Sequence, residues 1–137
     1  MAGLSRFSAQ LLFDRTLNPS TRERPNFLAL HKGPIDDESY GNEVDYSGYA
    51  RQTLNSMYAT IIQVGDGEVT LQAMNGNPVD FPVSLGPITN ITHWAIWDSQ
   101  TIGEGNVLYS GSLGLNRYVN VSDQPSVKAG AIEINFI

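Results

Sequence analysis

The stretch MYATIIQVGDGEVTLQAMNGNPVDFPVSL (57–85) decides the fold class. Three runs rich in β-branched and apolar residues, 57–64, 68–74 and 79–85, are separated by Gly65-Asp66-Gly67 and by Asn75-Gly76-Asn77-Pro78. Short runs of that kind, bounded by Gly, Asn and Pro, form strands joined by tight turns. In the third run Val79, Phe81, Val83 and Leu85 alternate with Asp80, Pro82 and Ser84 and are expected on one face. Pro82 lacks an N–H, which points to an edge strand or the polar side of a pair.

The same pattern continues on both sides. Toward the C-terminus lie THWAIWD (92–98), VLYSGSL (107–113), RYVNV (117–121) and AIEINFI (131–137), with the Gly/Asn-containing loop 99–106 between the first two. Trp94 and Ile96 share one face of their run while His93, Ala95 and Trp97 share the other, so both faces are expected to be at least partly buried. Trp94, Ile96, Phe81 and Phe136 read as core, and Ile132, Ile134 and Phe136 as the inward face of the last strand. Toward the N-terminus, FLALH (27–31) and YARQTL (49–54) are further short strands. Helical periodicity is confined to LSRFSAQLLFDRTL (4–17), where Leu4, Phe7 and Leu11 form a stripe at i, i+3 and i+7. Ser5 is a suitable N-cap and Asn18-Pro19 stops the helix. Residues 18–26 (NPSTRERPN) read as a polar, extended crossing. One short helix and eight or nine strands at close spacing predict a mainly β chain, a single β-sandwich of jelly-roll or Greek-key type with an extended N-terminal arm. The expected division is an arm over 1–26 and a β domain over 27–137.

Composition narrows the function classes. A chain of 137 residues is long enough to bury a sizeable core as one domain. It has no cysteine, which rules out disulfides and thiolate metal sites. No long apolar stretch or signal-like N-terminus is visible, so a soluble product made in the cytoplasm is expected. Charged residues are 16% of the chain, below the ~25% usual for soluble domains, so part of the surface is expected to face protein. The charge is also segregated. Residues 1–32 hold five basic side chains against two acids, net +3, and the remainder holds three against twelve, net −9. An acidic body has no electrostatic attraction for nucleic acid or an anionic membrane, and neither partner is expected. The basic segment has two readings: docking on an acidic neighbour such as another copy's body, or a solvated arm.

No motif for catalysis or for a cofactor survives its context. His31 and His93 lie on separate strands, and no third zinc ligand is evident. Ser110-Gly111-Ser112-Leu113-Gly114 departs from the nucleophile elbow at its first position and is followed by no helix. The acidic loop Asp36-Asp37-Glu38 to Glu43 and Asp45 offers carboxylates suited to calcium, but Tyr40 breaks the EF-hand pattern, and a solvated or arginine-pairing loop is the expectation. The expectation is a protein that is not an enzyme, with no catalytic residues, no metal and no cofactor.

Several stretches taken together resemble a family of small phage virion proteins commonly labelled tail-fibre proteins. They are LSRFSAQLLFD (4–14), NFLALHKGPIDDE (26–38), GNEVDYSGYARQ (41–52), ITHWAIWD (91–98), NVLYSGSL (106–113) and KAGAIEINFI (128–137), which in order span nearly the whole chain. The resemblance implies a compact β-sandwich in the virion that assembles, as a trimer, with other phage structural proteins such as the major capsid or a tail protein. It is also similar to jelly-roll proteins that cement capsids. The expected function is therefore capsid cement or decoration through protein–protein contacts. The alternative is a tail-fibre or tail-associated attachment protein with a carbohydrate-binding β-sandwich. Phe7, Leu11, Arg22 and Arg24 are the expected partner-contact residues, and under the alternative Trp97 is the residue for sugar stacking.

Overall fold

A computed structural model describes residues 4–35, 42–63, 65, 67 and 69–136. Its element order is α1 (Arg6–Thr16), β1 (Phe27–His31), β2 (Gln52–Thr53), β3 (Met57–Gln63), β4 (Val69–Asn75), β5 (Val79–Asp80), β6 (Thr89–Trp97), β7 (Val107–Val119), β8 (Ser126–Val127) and β9 (Glu133–Asn135). All pairings in the two larger sheets are antiparallel. The mainly β class with one short N-terminal helix is thus what the chain adopts, and it is consistent with a β-sandwich. The internal contacts divide the chain into two units.

The first unit comprises residues 1–24, 55–78 and 127–137. Its sheet has the order β3-β4-β9, with Ile61 opposite Leu71 and Ala73 opposite Ile134. The helix begins where Ser5 caps it: the hydroxyl accepts from the Ser8 amide at 3.1 Å, meeting one of the four donors a helix start leaves unpaired. Ala9, Phe13 and the C-cap Leu17 are buried, at the i, i+4, i+8 spacing of one helix face. Phe13 meets Phe136 edge-on at 6.4 Å between ring centroids. Residues 18–24 do not run on as an extended crossing. Asn18 is followed by a turn in which the Arg22 amide donates to the Asn18 carbonyl (2.8 Å) and the Glu23 amide to the Arg15 carbonyl (2.9 Å). The Thr21 hydroxyl donates to the Asp14 carbonyl at 2.6 Å. The carbonyls left open at the helix end recruit this segment back.

The second unit comprises residues 25–54 and 79–126. Its sheet has the order β2-β1-β6-β7, so the apolar strands β1 and β6 are central and pair over their whole common length, Phe27 with Trp97 through His31 with His93. Trp94, Ala95, Ile96 and Trp97 are all buried, so both faces of β6 are covered, as its sequence implies. Gly111 stands across from Trp94, and an added Cβ there would lie 2.7 Å from the indole, so glycine is what lets the ring lie over the strand. The expected runs 107–113 and 117–121 form one strand, β7, bulged against β6 between Ile91 and His93.

The expected strand over 79–85 ends after Asp80. Beyond it the Phe81 amide donates to the Pro125 carbonyl, Pro82 has no amide hydrogen, and the Ser84 amide turns to Asp123. The alternation breaks with the strand. Val79 and Phe81 are buried, whereas Val83 and Leu85 are exposed, Leu85 by 70%.

Candidate functional site

The most elaborate side-chain arrangement lies inside the second unit, around Arg51. Leu54, through its amide to the Asn26 carbonyl, and the β1–β2 pairing hold the segment carrying Arg51 against β1. The isolated bridge between His31 and Glu43 brings the 42–44 segment onto the same edge of β1, beyond β2, since β6 fills the other edge. Arg51 and Glu43 are thereby fully buried together. The guanidinium forks onto the carboxylate, Nη2 to Oε1 at 2.8 Å and Nε to Oε2 at 3.0 Å, while Nη1 donates to the carbonyls of Ser99 (2.8 Å) and Glu104 (3.1 Å). The Tyr49 hydroxyl donates to Glu43 Oε2 at 2.7 Å and accepts from the Leu30 amide at 3.1 Å. Burial is the main reason the Tyr49 phenol is held well above its usual range, with the adjacent Glu43 charge acting the same way.

The aromatic side of the cluster completes it. The Arg51 guanidinium lies over the Trp97 ring, 4.4 Å from its centroid. Trp97 Nε1 donates to His31 Nε2 at 3.2 Å, and His31 Nδ1 stands 2.7 Å from Asn42 Oδ1. An indole nitrogen can only donate, so His31 Nε2 must accept and Nδ1 must carry the proton that goes to Asn42. His31 is thus a neutral Nδ1–H tautomer, and burial lowers its pKa below the ordinary imidazole value, against opposing contributions from Asn42 and Glu43. Both oxygens of Glu43 and every nitrogen of the Arg51 guanidinium are engaged. Chemically, this arrangement staples strand β1, the 42–44 segment and the 99–104 loop to one another.

The expected site residues fall elsewhere. Trp97, the residue offered for sugar stacking, is fully buried, with the guanidinium on its ring and the His31 ring near-parallel at 5.9 Å. A sugar platform needs an open aromatic face, and Trp97 presents none. Phe7 and Leu11 are exposed by 78% and 42%, with Leu4 at 44% beside them. The stripe that identified the helix is therefore not its buried face. At ~100° per residue, Phe7 and Leu11 lie on the side opposite Ala9, Phe13 and Leu17, while Leu4 precedes the N-cap Ser5 and is not part of the helix. The helix carries two apolar faces, one packed on its own unit and one turned outward. Arg22 is half-buried, with desolvation lowering its pKa, and Arg24 is exposed within the turn that folds back on the helix. Of the acidic loop, Asp36, Asp37 and Glu38 lie outside the described residues. Glu43 belongs to the buried pair, and Asp45 meets Lys32 at 3.6 Å. Among the described residues no group of three His, Asp or Glu side chains is placed to hold a metal ion.

Two features escape sequence reasoning. The Arg51 cluster joins residues far apart in sequence, and its one local sign is a charged pair set among apolar strand residues in a chain poor in charge. The second is an outward apolar surface at residues 83–88 and 118–121. The signal for it is Pro82, which lacks an amide hydrogen where the alternation that would have turned Leu85 inward breaks off.

The family model described as podophage GP4 fiber I protein gp80 matches residues 3–135. No curated protein matches the chain.

Proposed function

We propose that this chain, which belongs to the podophage fiber I family whose model spans almost all of it, is a tail-fibre component that works by packing against other virion chains without catalysis. Membership makes it a bacteriophage structural protein located in the virion, and it favours the tail-fibre reading over the capsid-cement reading. The observation that carries the proposal is the family match over residues 3–135. The helix adds physical support. Outward Phe7 and Leu11 opposite a packed apolar face are the construction of an element that buries surface on two sides. Phe7 and Leu11 serve as the apolar anchors to a neighbouring chain, flanked by the arginines Arg22 and Arg24.

The test is the place of the chain on the particle. Gold-conjugated antibody against the purified chain should decorate the tail of intact virions in negative-stain images. Decoration distributed over the capsid shell would overturn the fibre reading and return the cement reading.

A further inference from the structure

In the first unit one sheet edge is open to a further strand. The order β3-β4-β9 leaves β3 paired on one side alone, Met57 with Asn75 through Gln63 with Val69, and no described strand meets its outer side. Along such an edge alternate residues turn their amide and carbonyl groups outward, a template for another extended chain. The side chains agree: of residues 57–63 only Met57 is buried, and Tyr58 and Ile61 are 47% and 52% exposed. The other described edges are blunted. β2, β5 and β8 are two residues long, and β9 is three and begins with Glu133. β7 is bulged and carries Arg117 and, at φ +81°, Gly114. Short length, charge and bulges are how sheets discourage edge pairing. β3 has none of them: it pairs with β4 over seven residues without a break, and residues 52–65 contain no charge and no proline.

Charge and register both point to a second copy as the occupant. The first unit holds five basic side chains against five acids, so the chain's net charge of −6 resides wholly in the second unit. Two copies that meet through the first unit therefore join parts of no net charge, without the repulsion the acidic unit would bring. An antiparallel edge is also complementary to its own copy, donor to acceptor, across a two-fold axis normal to the sheet. Such an axis keeps each side chain on its own face, so a residue stands opposite its own copy or one an even number of positions away. Full overlap of residues 57–63 then puts Thr60 on the axis, Ala59 opposite Ile61 and Tyr58 opposite Ile62. Threonine with threonine and aromatic with β-branched are favoured cross-strand pairs, and the small Ala59 leaves room for Ile61.

We infer that β3 of one copy pairs antiparallel with β3 of a second copy, centred on Thr60, joining the two sheets into a single continuous one. The contact is isologous, the same edge on both sides, and closes at two copies. It goes beyond the fibre reading and does not depend on it, since tail decoration reports where the chain sits and not how its copies pair.

The absence of cysteine gives a clean test. Full-length chains with one cysteine each are mildly oxidised, after circular dichroism has checked that they are folded. Thr60→Cys, at an exposed position of β3, should link to its own copy, because directly opposed residues lie ~4.5–5.5 Å apart, within disulfide reach. Thr101→Cys, at an exposed loop site of the second unit, supplies the random-encounter level. Ile62→Cys should link to Tyr58→Cys but not to itself, since its own copy stands four positions along, roughly 13 Å away. In sedimentation equilibrium the native chain should dimerise as its concentration rises. Ile61→Lys, which sets a charge at an exposed position of the edge, should stay monomeric with an unchanged melting temperature. A native chain that is monomeric throughout, or an Ile61→Lys chain that dimerises like it, would overturn the inference. So would Thr60→Cys linking no more than Thr101→Cys, or Ile62→Cys linking to itself as readily as to Tyr58→Cys. Any of these beside tail decoration would leave the fibre reading standing and remove the strand pairing.

Discussion

Replacing Glu43 with Gln tests whether the buried cluster holds the second unit together. The side chains of Arg51 and Glu43 are 0% and 2% exposed, so water cannot solvate whichever partner is left behind. Breaking such a pair from one side costs about 3–5 kcal/mol, because a charge stays buried without its counter-charge. For a chain of this length that lowers the melting temperature by on the order of 10 °C. Arg51→Met should cost a similar amount by another route. It leaves Glu43 charged and also removes the donors to the Ser99 and Glu104 carbonyls, so the 99–104 loop loosens. The double substitution E43Q/R51M removes both charges. It should cost less than the two single changes together, with a coupling of about 2 kcal/mol, inside the range for groups in direct contact. Urea unfolding followed by circular dichroism on the four proteins completes the cycle. Single variants within about 1 kcal/mol of the parent, or strictly additive costs, would refute the claim that this pair is a buried, mutually dependent unit.

Two further outcomes follow from burial. His31 is neutral in the fold with a lowered pKa, whereas the unfolded chain takes up a proton near ~6.5. Its contribution is therefore intact above that value and lost as pH falls below it, so thermal stability should drop between about pH 7 and 5. The drop should be shallower in His31→Gln, and an equal slope in both proteins would remove His31 from the account. On the helix, Phe13→Ala should cost about 3–5 kcal/mol, the range for a buried aromatic. Phe7→Ala should stay within about 0.5 kcal/mol, as for an exposed site. Equal costs in urea unfolding would contradict the assignment of the two faces.

How far the sequence could be read follows from which interactions are local. FLALH (27–31) becomes β1 with the same bounds, and the run from Met57 becomes β3, because β-branched content and flanking turns act over a few residues. Ser5 is legible as the cap for the same reason, since its hydroxyl needs only the amide three residues on. What fails is every inference about which side of an element faces the protein when a distant segment decides it. Leu4, Phe7 and Leu11 show the helical period but not that Ala9 and Phe13, a less conspicuous pair, are the ones buried. Leu85 alternates with Phe81 in sequence, yet the amide of Ser84 finds Asp123, thirty-nine residues away, and the chain leaves the strand geometry before Leu85.

The same reasoning bears on function. A side chain that periodicity marks as apolar, and that the fold then leaves outside, has been placed by something other than the stability of this chain. Phe7 and Leu85 are the two most exposed of these, at 78% and 70%. Neither lies in a flexible tail: one is on a capped helix and the other in loops tied by backbone hydrogen bonds. Removing such side chains from water requires a partner surface, and rigid presentation reduces the entropy lost on meeting it. Trp97 shows the converse. Its size and aromaticity suggest a binding residue in the sequence, but the fold surrounds it with Arg51 and His31 and uses it to hold a buried charge. In this chain the aromatic and charged side chains that look most like a ligand site serve the interior, and exposed Phe7 and Leu85, on a capped helix and on loops tied by backbone hydrogen bonds, are not used by it.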